Sequence, residues 1–185
     1  MKTLSLILVP ALIGAVCAAI LALVHHQTQP VIREVERQNA VAAARRVLPE
    51  HFPAPVETNL NGVACFASFD AAGRLLGVAL DGATDKGYGG EIRLMVGITS
   101  GGVVHSFKVL SAEGETPGLG SKIKSDAFRE SLSGRPVSGN WLLKKDQGEI
   151  DAITAATISS RAALDAIRDA IAKYETASGT RASSP

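Results

Sequence analysis

Two stretches of this chain carry residue types whose spacing suits chemistry better than packing. The first, Glu113-Gly114-Glu115-Thr116-Pro117-Gly118-Leu119-Gly120-Ser121-Lys122, places three glycines in seven positions. Such backbone approaches a ligand closely, and a run of free N–H groups cradles an anion. The P-loop spacing G-x-x-x-x-G-K-[ST] is absent. By its residues alone, the stretch reads equally as an ordinary glycine-rich turn. The second stretch, Asp151-Ala152-Ile153-Thr154-Ala155-Ala156-Thr157-Ile158-Ser159-Ser160-Arg161, sets four hydroxyls in seven positions ahead of an apolar periodic segment. Hydroxyls in that place are first of all helix caps, a role that Ser159 and Ser160 fit. Four exceed what one cap needs, and a helix amino terminus attracts phosphate through its free donors and dipole. A phosphate bound or bonded there is physically reasonable, with Arg161 either helping to hold it or lying on the surface.

Composition narrows what such a site could serve. Lys and Arg number 19 against 18 Asp and Glu, a formal net charge of +1, so no basic excess neutralises a phosphate backbone and nucleic acid is not expected as a partner. Cys17 and Cys65 stand far apart with no CxxC or Cys/His cluster, which argues against zinc ribbons, cysteine-ligated iron–sulfur clusters and disulfide scaffolds. Any redox chemistry must then use an organic cofactor. The sequence offers no Ser–His–Asp candidate, no paired catalytic carboxylates and no dinucleotide fingerprint, so no self-sufficient enzyme is expected.

Periodicity outlines the elements that must position these residues. At 185 residues the chain has room for one compact domain and an appendage. Thr3 to Val24 is 22 residues without Asp, Glu, Lys, Arg or His, enough to cross a bilayer. A transmembrane anchor is expected over residues 1–25. Cys17-Ala18-Ala19 loosely offers a signal-peptide cleavage site, but the apolar run continues to Val24, so the reading kept is an uncleaved helix. The uncharged interval from His25 to Ile32 favours a cytoplasmic amino terminus and an exported main domain. His25 and His26 read as interfacial polar residues. A helix opening at Pro30 and running to residue 48, with a thin apolar stripe of Ile32, Val35, Ala42 and Val47, reads as a stalk. Pro49, Pro53 and Pro55 then mark a linker, so that stalk and linker occupy residues 26–60.

From Gly62 short apolar runs predict strands at Val63–Phe69, Leu75–Leu80, Ile92–Thr99 and Val103–Leu110, the last two joined as a hairpin through Ser100-Gly101-Gly102. Helical patterning returns at Ser125–Leu132 and at the end, where Leu164, Ile167, Ile171 and Tyr174 recur at three- and four-residue steps. His105 reads as a packed or surface strand residue and Cys65 as a buried small hydrophobe. The expected class is α+β, a small antiparallel sheet packed with helices over residues 61–176, with a polar, disordered tail at 177–185.

Taken in order, the amino-terminal anchor, Gly87-Tyr88-Gly89-Gly90, Glu115-Thr116-Pro117-Gly118-Leu119-Gly120, Trp141 with Lys144-Lys145-Asp146, and the hydroxyl-rich run ending in Ala156-Thr157 form a specific combination. In these features the chain resembles the FMN-binding domain of the G subunit of Rnf-type ion-translocating electron transport complexes, a family related to the C subunit of the sodium-translocating NADH:quinone oxidoreductase. The resemblance covers most of the chain. It implies covalent FMN, carried by a threonine through a phosphoester bond and installed by a separate flavin transferase that uses FAD. That threonine falls at Thr157, with Thr154 at the family's Ser/Thr position, Ala155 and Ala156 between them, and Asp151 at the leading acid. The resemblance further implies that Glu115, Thr116 and Leu119 line the flavin and that Lys144 or Lys145 lies near its polar edge. Tyr88 either approaches the ring or is an ordinary core or surface tyrosine.

Two positions depart from the pattern. Ala155 stands where the family has Gly, adding a methyl that costs energy if the site needs positive φ. Glu113 stands where the family often has His, so no role of such a His transfers.

The resemblance implies a membrane-anchored electron carrier, working with other membrane subunits of an ion-translocating oxidoreductase complex. Its main domain would lie on the periplasmic, outer side of the cytoplasmic membrane. Two other readings stay open: a flavin subunit of another exported electron-transfer system, and a flavin-free, membrane-anchored binding module motivated by Ala155.

Overall fold

The computed structural model describes residues 2–179; residues 180–185, most of the expected tail, lie outside the described residues. The chain divides into two compact units, Met1–Asn39 and Ala40–Pro185. The first unit is helical throughout its described residues and belongs to α1 (Lys2–Val47). Residues 10–28 of that helix are exposed, and by length and composition it is long and apolar enough to cross a membrane. The sequence suggested a separate stalk helix opening at Pro30. Instead α1 runs through it: the proline removes one donor from the ladder, while Thr28 adds a local bond from Oγ1 to the Val24 carbonyl at 2.9 Å.

The second unit is built on one six-stranded sheet in sequential order, every neighbouring pair antiparallel. Its strands are β1 (Val56–Leu60), β2 (Val63–Phe69), β3 (Leu75–Thr84), β4 (Ile92–Thr99), β5 (Val103–Ser111) and the two-residue β6 (Arg135–Pro136). α2 (Asp126–Leu132) and α3 (Thr157–Ala177) complete the regular helices. The α+β expectation holds. The β4–β5 turn is the expected one, with Gly102 at φ 71°.

Period-two alternation gives each central strand two buried faces. Val78 and Leu80 of β3 join Leu94, Val96 and Ile98 of β4 in a core with Leu164, Ile167 and Ile171 of α3. Ala79 and Met95 point the other way and pack with Ala43, Ala44, Val47 and Leu48, so the last turns of α1 cover the opposite face. Helix backbone lies directly on the sheet at two glycines: a Cβ on Gly82 would come 2.1 Å from the Ala166 carbonyl oxygen, and one on Gly97 would come 2.0 Å from that of Val47. The buried stripe near residue 45 is therefore Ala43, Ala44, Val47 and Leu48, whereas Ile32, Val35 and Ala42 of the expected stripe are exposed.

Strand β1 falls within what the sequence suggested was linker. It pairs with β2 through a two-residue turn, Asn61-Gly62, both at positive φ (50° and 85°), the type I′ geometry that Asn-Gly favours. That dipeptide was the available signal, masked by the nearby prolines. Cys65 of β2 is buried, and burial pushes its thiol pKa up.

Candidate functional site

A cleft of about 300 Å³ opens where three segments converge: the Gly87–Gly90 turn after β3, the Glu115–Gly120 loop after β5, and the start of α3. Tyr88, Thr116, Leu119, Ala155, Ala156 and Thr157 contribute to its walls. α3 begins without a side-chain cap: its N-cap is Ala156 at φ −133°, and Thr157 is its first helical residue. The N–H groups of a first helical turn have no partner within the helix, so this terminus presents donors and a positive dipole end to the cleft.

Both hydroxyls expected as caps are directed elsewhere. Ser160 Oγ accepts from the Ile153 N–H at 3.0 Å and donates to the Ala156 carbonyl at 2.9 Å. Ser159 Oγ donates to Glu115 Oε2, and both serines are buried. Just ahead, the Ala156 N–H bonds the Ile153 carbonyl at 3.0 Å, closing a turn whose third residue is Ala155 at φ 63°. This is the glycine position of a type II turn, filled here by alanine.

Glu115 lies behind the wall rather than in it, only 6% exposed. Besides Ser159, its Oε1 accepts the Tyr88 N–H at 2.9 Å. Gly120 leaves room for it: a Cβ there would come 2.2 Å from Glu115 Oε2. The two glycine-bearing segments cross backbone to backbone, since a Cβ on Gly89 would meet the Gly114 carbonyl oxygen at 1.8 Å and one on Gly114 would meet that of Gly89 at 2.1 Å.

Of the residues singled out in the sequence, Thr116, Leu119, Ala155, Ala156 and Thr157 come together in the cleft, and Glu115 joins through Ser159. Tyr88 lines it with its side chain exposed. Thr154 is exposed on the neighbouring turn and is not among the lining residues. Lys145 is exposed on the short 3-10 turn Lys144–Asp146 and does not line the cleft. Lys144 pairs with Asp151 at 2.7 Å. Arg161 is committed to Asp146 through two bonds of 2.8 Å, and that guanidinium holds the Asp146 carboxyl below its ordinary range. Sequence reasoning missed the Glu115–Ser159 tie and the Gly89–Gly114 crossing. Neither leaves a local signature, because each joins segments far apart in the chain.

The FMN-binding domain family matches residues 87–172, an interval that contains all three converging segments. The G subunit of the ion-translocating oxidoreductase complex of Shewanella baltica is 32% identical over 183 residues, covering 87% of this chain and 84% of that protein. The G subunit of the same complex from Methanosarcina acetivorans is 32% identical over 167 residues, covering 86% and 87%. The chain belongs to the family of these G subunits. The crystal structure of NqrC from Shewanella oneidensis matches with a TM-score of 0.50 at 20% identity, over 64% of this chain and 60% of that one, and so shares its fold.

The cleft fits the cofactor of the matching domain. Free donors at an uncapped helix start suit a phosphate, and Tyr88, Leu119 and Ile158, exposed by 67%, 40% and 49%, offer apolar surface for a planar ring system.

Proposed function

We propose that this chain is a membrane-anchored electron relay of an ion-translocating oxidoreductase complex, with FMN held by a phosphoester to the Thr157 hydroxyl. The observation that carries this reading is the uncapped amino terminus of α3, with Thr157 as its first residue, opening into the cleft. The first-turn N–H groups of α3 would hold the phosphate, while Tyr88, Thr116, Leu119 and Ile158 would contact the rest of the cofactor. When bound, FMN supplies reversible uptake and release of electrons. The chain's own residues bind and orient: the turn over Ile153–Ala156 presents Thr157, and the Gly89–Gly114 crossing fixes the turn that bears Tyr88.

Covalent attachment suits a carrier outside the cytoplasm, where a dissociable flavin is lost to dilution. A flavin transferase would install FMN from FAD: the bond from Thr157 Oγ to the FMN phosphorus forms as the pyrophosphate bond of FAD breaks, the hydroxyl proton is released and AMP leaves. α1 would anchor the chain in the cytoplasmic membrane with the second unit on the outer side, beside the other membrane subunits. Thr157→Ala tests the reading. Produced with a transferase and denatured, the wild-type chain is expected to keep flavin fluorescence in a gel, Thr157→Ala to lose it, and Thr154→Ala to keep it. A wild-type chain without bound flavin overturns the proposal.

A further inference from the structure

We propose that Glu115 is the positioning residue of the cleft, acting through Ser159 and the Tyr88 backbone rather than by lining the site. This rests on the reading of Thr157 as the FMN-bearing residue. Glu115 belongs to the loop after β5, Tyr88 to the turn after β3, and Ser159 to the first turn of α3, so a single carboxylate ties together three segments otherwise separate in sequence. It is buried, and among the described residues a hydroxyl and a backbone N–H satisfy it in place of a cation. Gly120 leaves the carboxylate its place, since a Cβ there would come 2.2 Å from Oε2 and displace it from Ser159.

The consequence reaches Thr157. Ser159 stands two residues after it in the same helical turn, so fixing Ser159 fixes the direction in which the turn offers the Thr157 hydroxyl and its free N–H groups. Tyr88, held through its own N–H by the other carboxylate oxygen, faces the same cleft. Glu115 thus sets the two walls at a fixed separation, as a supporting shell orients a site it does not touch.

The test follows transfer of FMN onto the full-length chain, embedded in membranes, by a flavin transferase supplied with FAD, read as flavin fluorescence in denaturing gels over time. Ser159→Ala keeps the charge and cuts the tie; it is expected to slow loading by about tenfold or more, toward the roughly hundredfold that misplacing a reacting group by about 1 Å can cost. Glu115→Gln removes the charge and keeps the tie, because its amide oxygen accepts from Tyr88 and its amide nitrogen donates to Ser159 Oγ. It is expected to load within about threefold of wild type, the conservative variant rescuing the position. Circular dichroism on the purified variants accompanies each rate, and Glu115→Ala, if it folds, is expected to be at least as slow as Ser159→Ala. Ser159→Ala loading at the wild-type rate overturns the proposal, and so does Glu115→Gln failing alongside it, which would make charge the requirement. Absence of flavin on wild-type protein instead overturns the Thr157 reading itself.

Discussion

Ala155 holds φ at 63°, a conformation that crowds the Cβ of an L-residue against its own backbone and costs roughly 1–2 kcal/mol. The exposed turn tolerates it because the Ala156 N–H to Ile153 carbonyl bond closes around it. Ala155→Gly should relieve that strain, offset in part by the greater freedom of glycine in the unfolded chain, for a net gain of up to about 1 kcal/mol. Chemical denaturation of the second unit measures it; a loss of stability would mean that the alanine methyl packs favourably. At this scale the sequence was informative about residue types. Hydroxyls and glycines in unusual density marked the two stretches, while it was the family resemblance that singled out Thr157, Thr116 and Leu119 within them. The destinations of Ser159 and Ser160 were not legible, because a hydroxyl near a helix start serves as a cap or as a tertiary donor with the same local sequence.

Elements carry the site through contacts with no side chain in them. The crossing of Gly89 over Gly114 leaves no space for a Cβ on either strand of chain, so Gly89→Ala must push the Tyr88 turn away from the loop after β5. The expected cost is about 1–3 kcal/mol with lower flavin loading, read by thermal unfolding and in-gel fluorescence. Unchanged loading would show that the turn does not shape the cleft. A second element contact is electrostatic. Arg161 in the first turns of α3 donates to Asp146 in the 3-10 turn before it and lowers the Asp146 pKa below the ordinary 3.8. A depressed carboxyl contributes stability that is full above its unfolded value and is lost as pH falls through the folded one. Arg161→Ala should therefore weaken the protein near neutrality and flatten the fall in stability below about pH 4, with Asp70, also lowered by its bonds to Arg74, still titrating in that window. Urea midpoints across this range check it; parallel pH profiles for the two proteins would contradict it. Four of the six strands were readable from apolar runs. β1 was not, since Pro53 and Pro55 outweighed Asn61-Gly62, and the two residues of β6 are too few for any period.

For the whole molecule, the division falls at Ala40 rather than at the start of the first apolar strand, because Ala43, Ala44, Val47 and Leu48 cover Ala79 and Met95. A chain starting at Ala40 is expected to be soluble without detergent and to unfold in one transition, whereas a chain starting at residue 61 would expose that sheet face and aggregate. Light scattering and calorimetry distinguish them; a well-behaved chain from residue 61 would mean that the α1 turns contribute little. The α+β class and the terminal helix were legible because burial enforces periodicity, while the continuity of α1 through Pro30 was not. Fold and family meet in the cleft that Thr157 lines, where the FMN bond is proposed. Peptide mass spectrometry of the full chain, produced with a flavin transferase and denatured beforehand to strip loose flavin, tests it most directly. The expected result is an FMN adduct on the peptide containing Thr157; an unmodified peptide from a chain made alongside a transferase active on another substrate would contradict it.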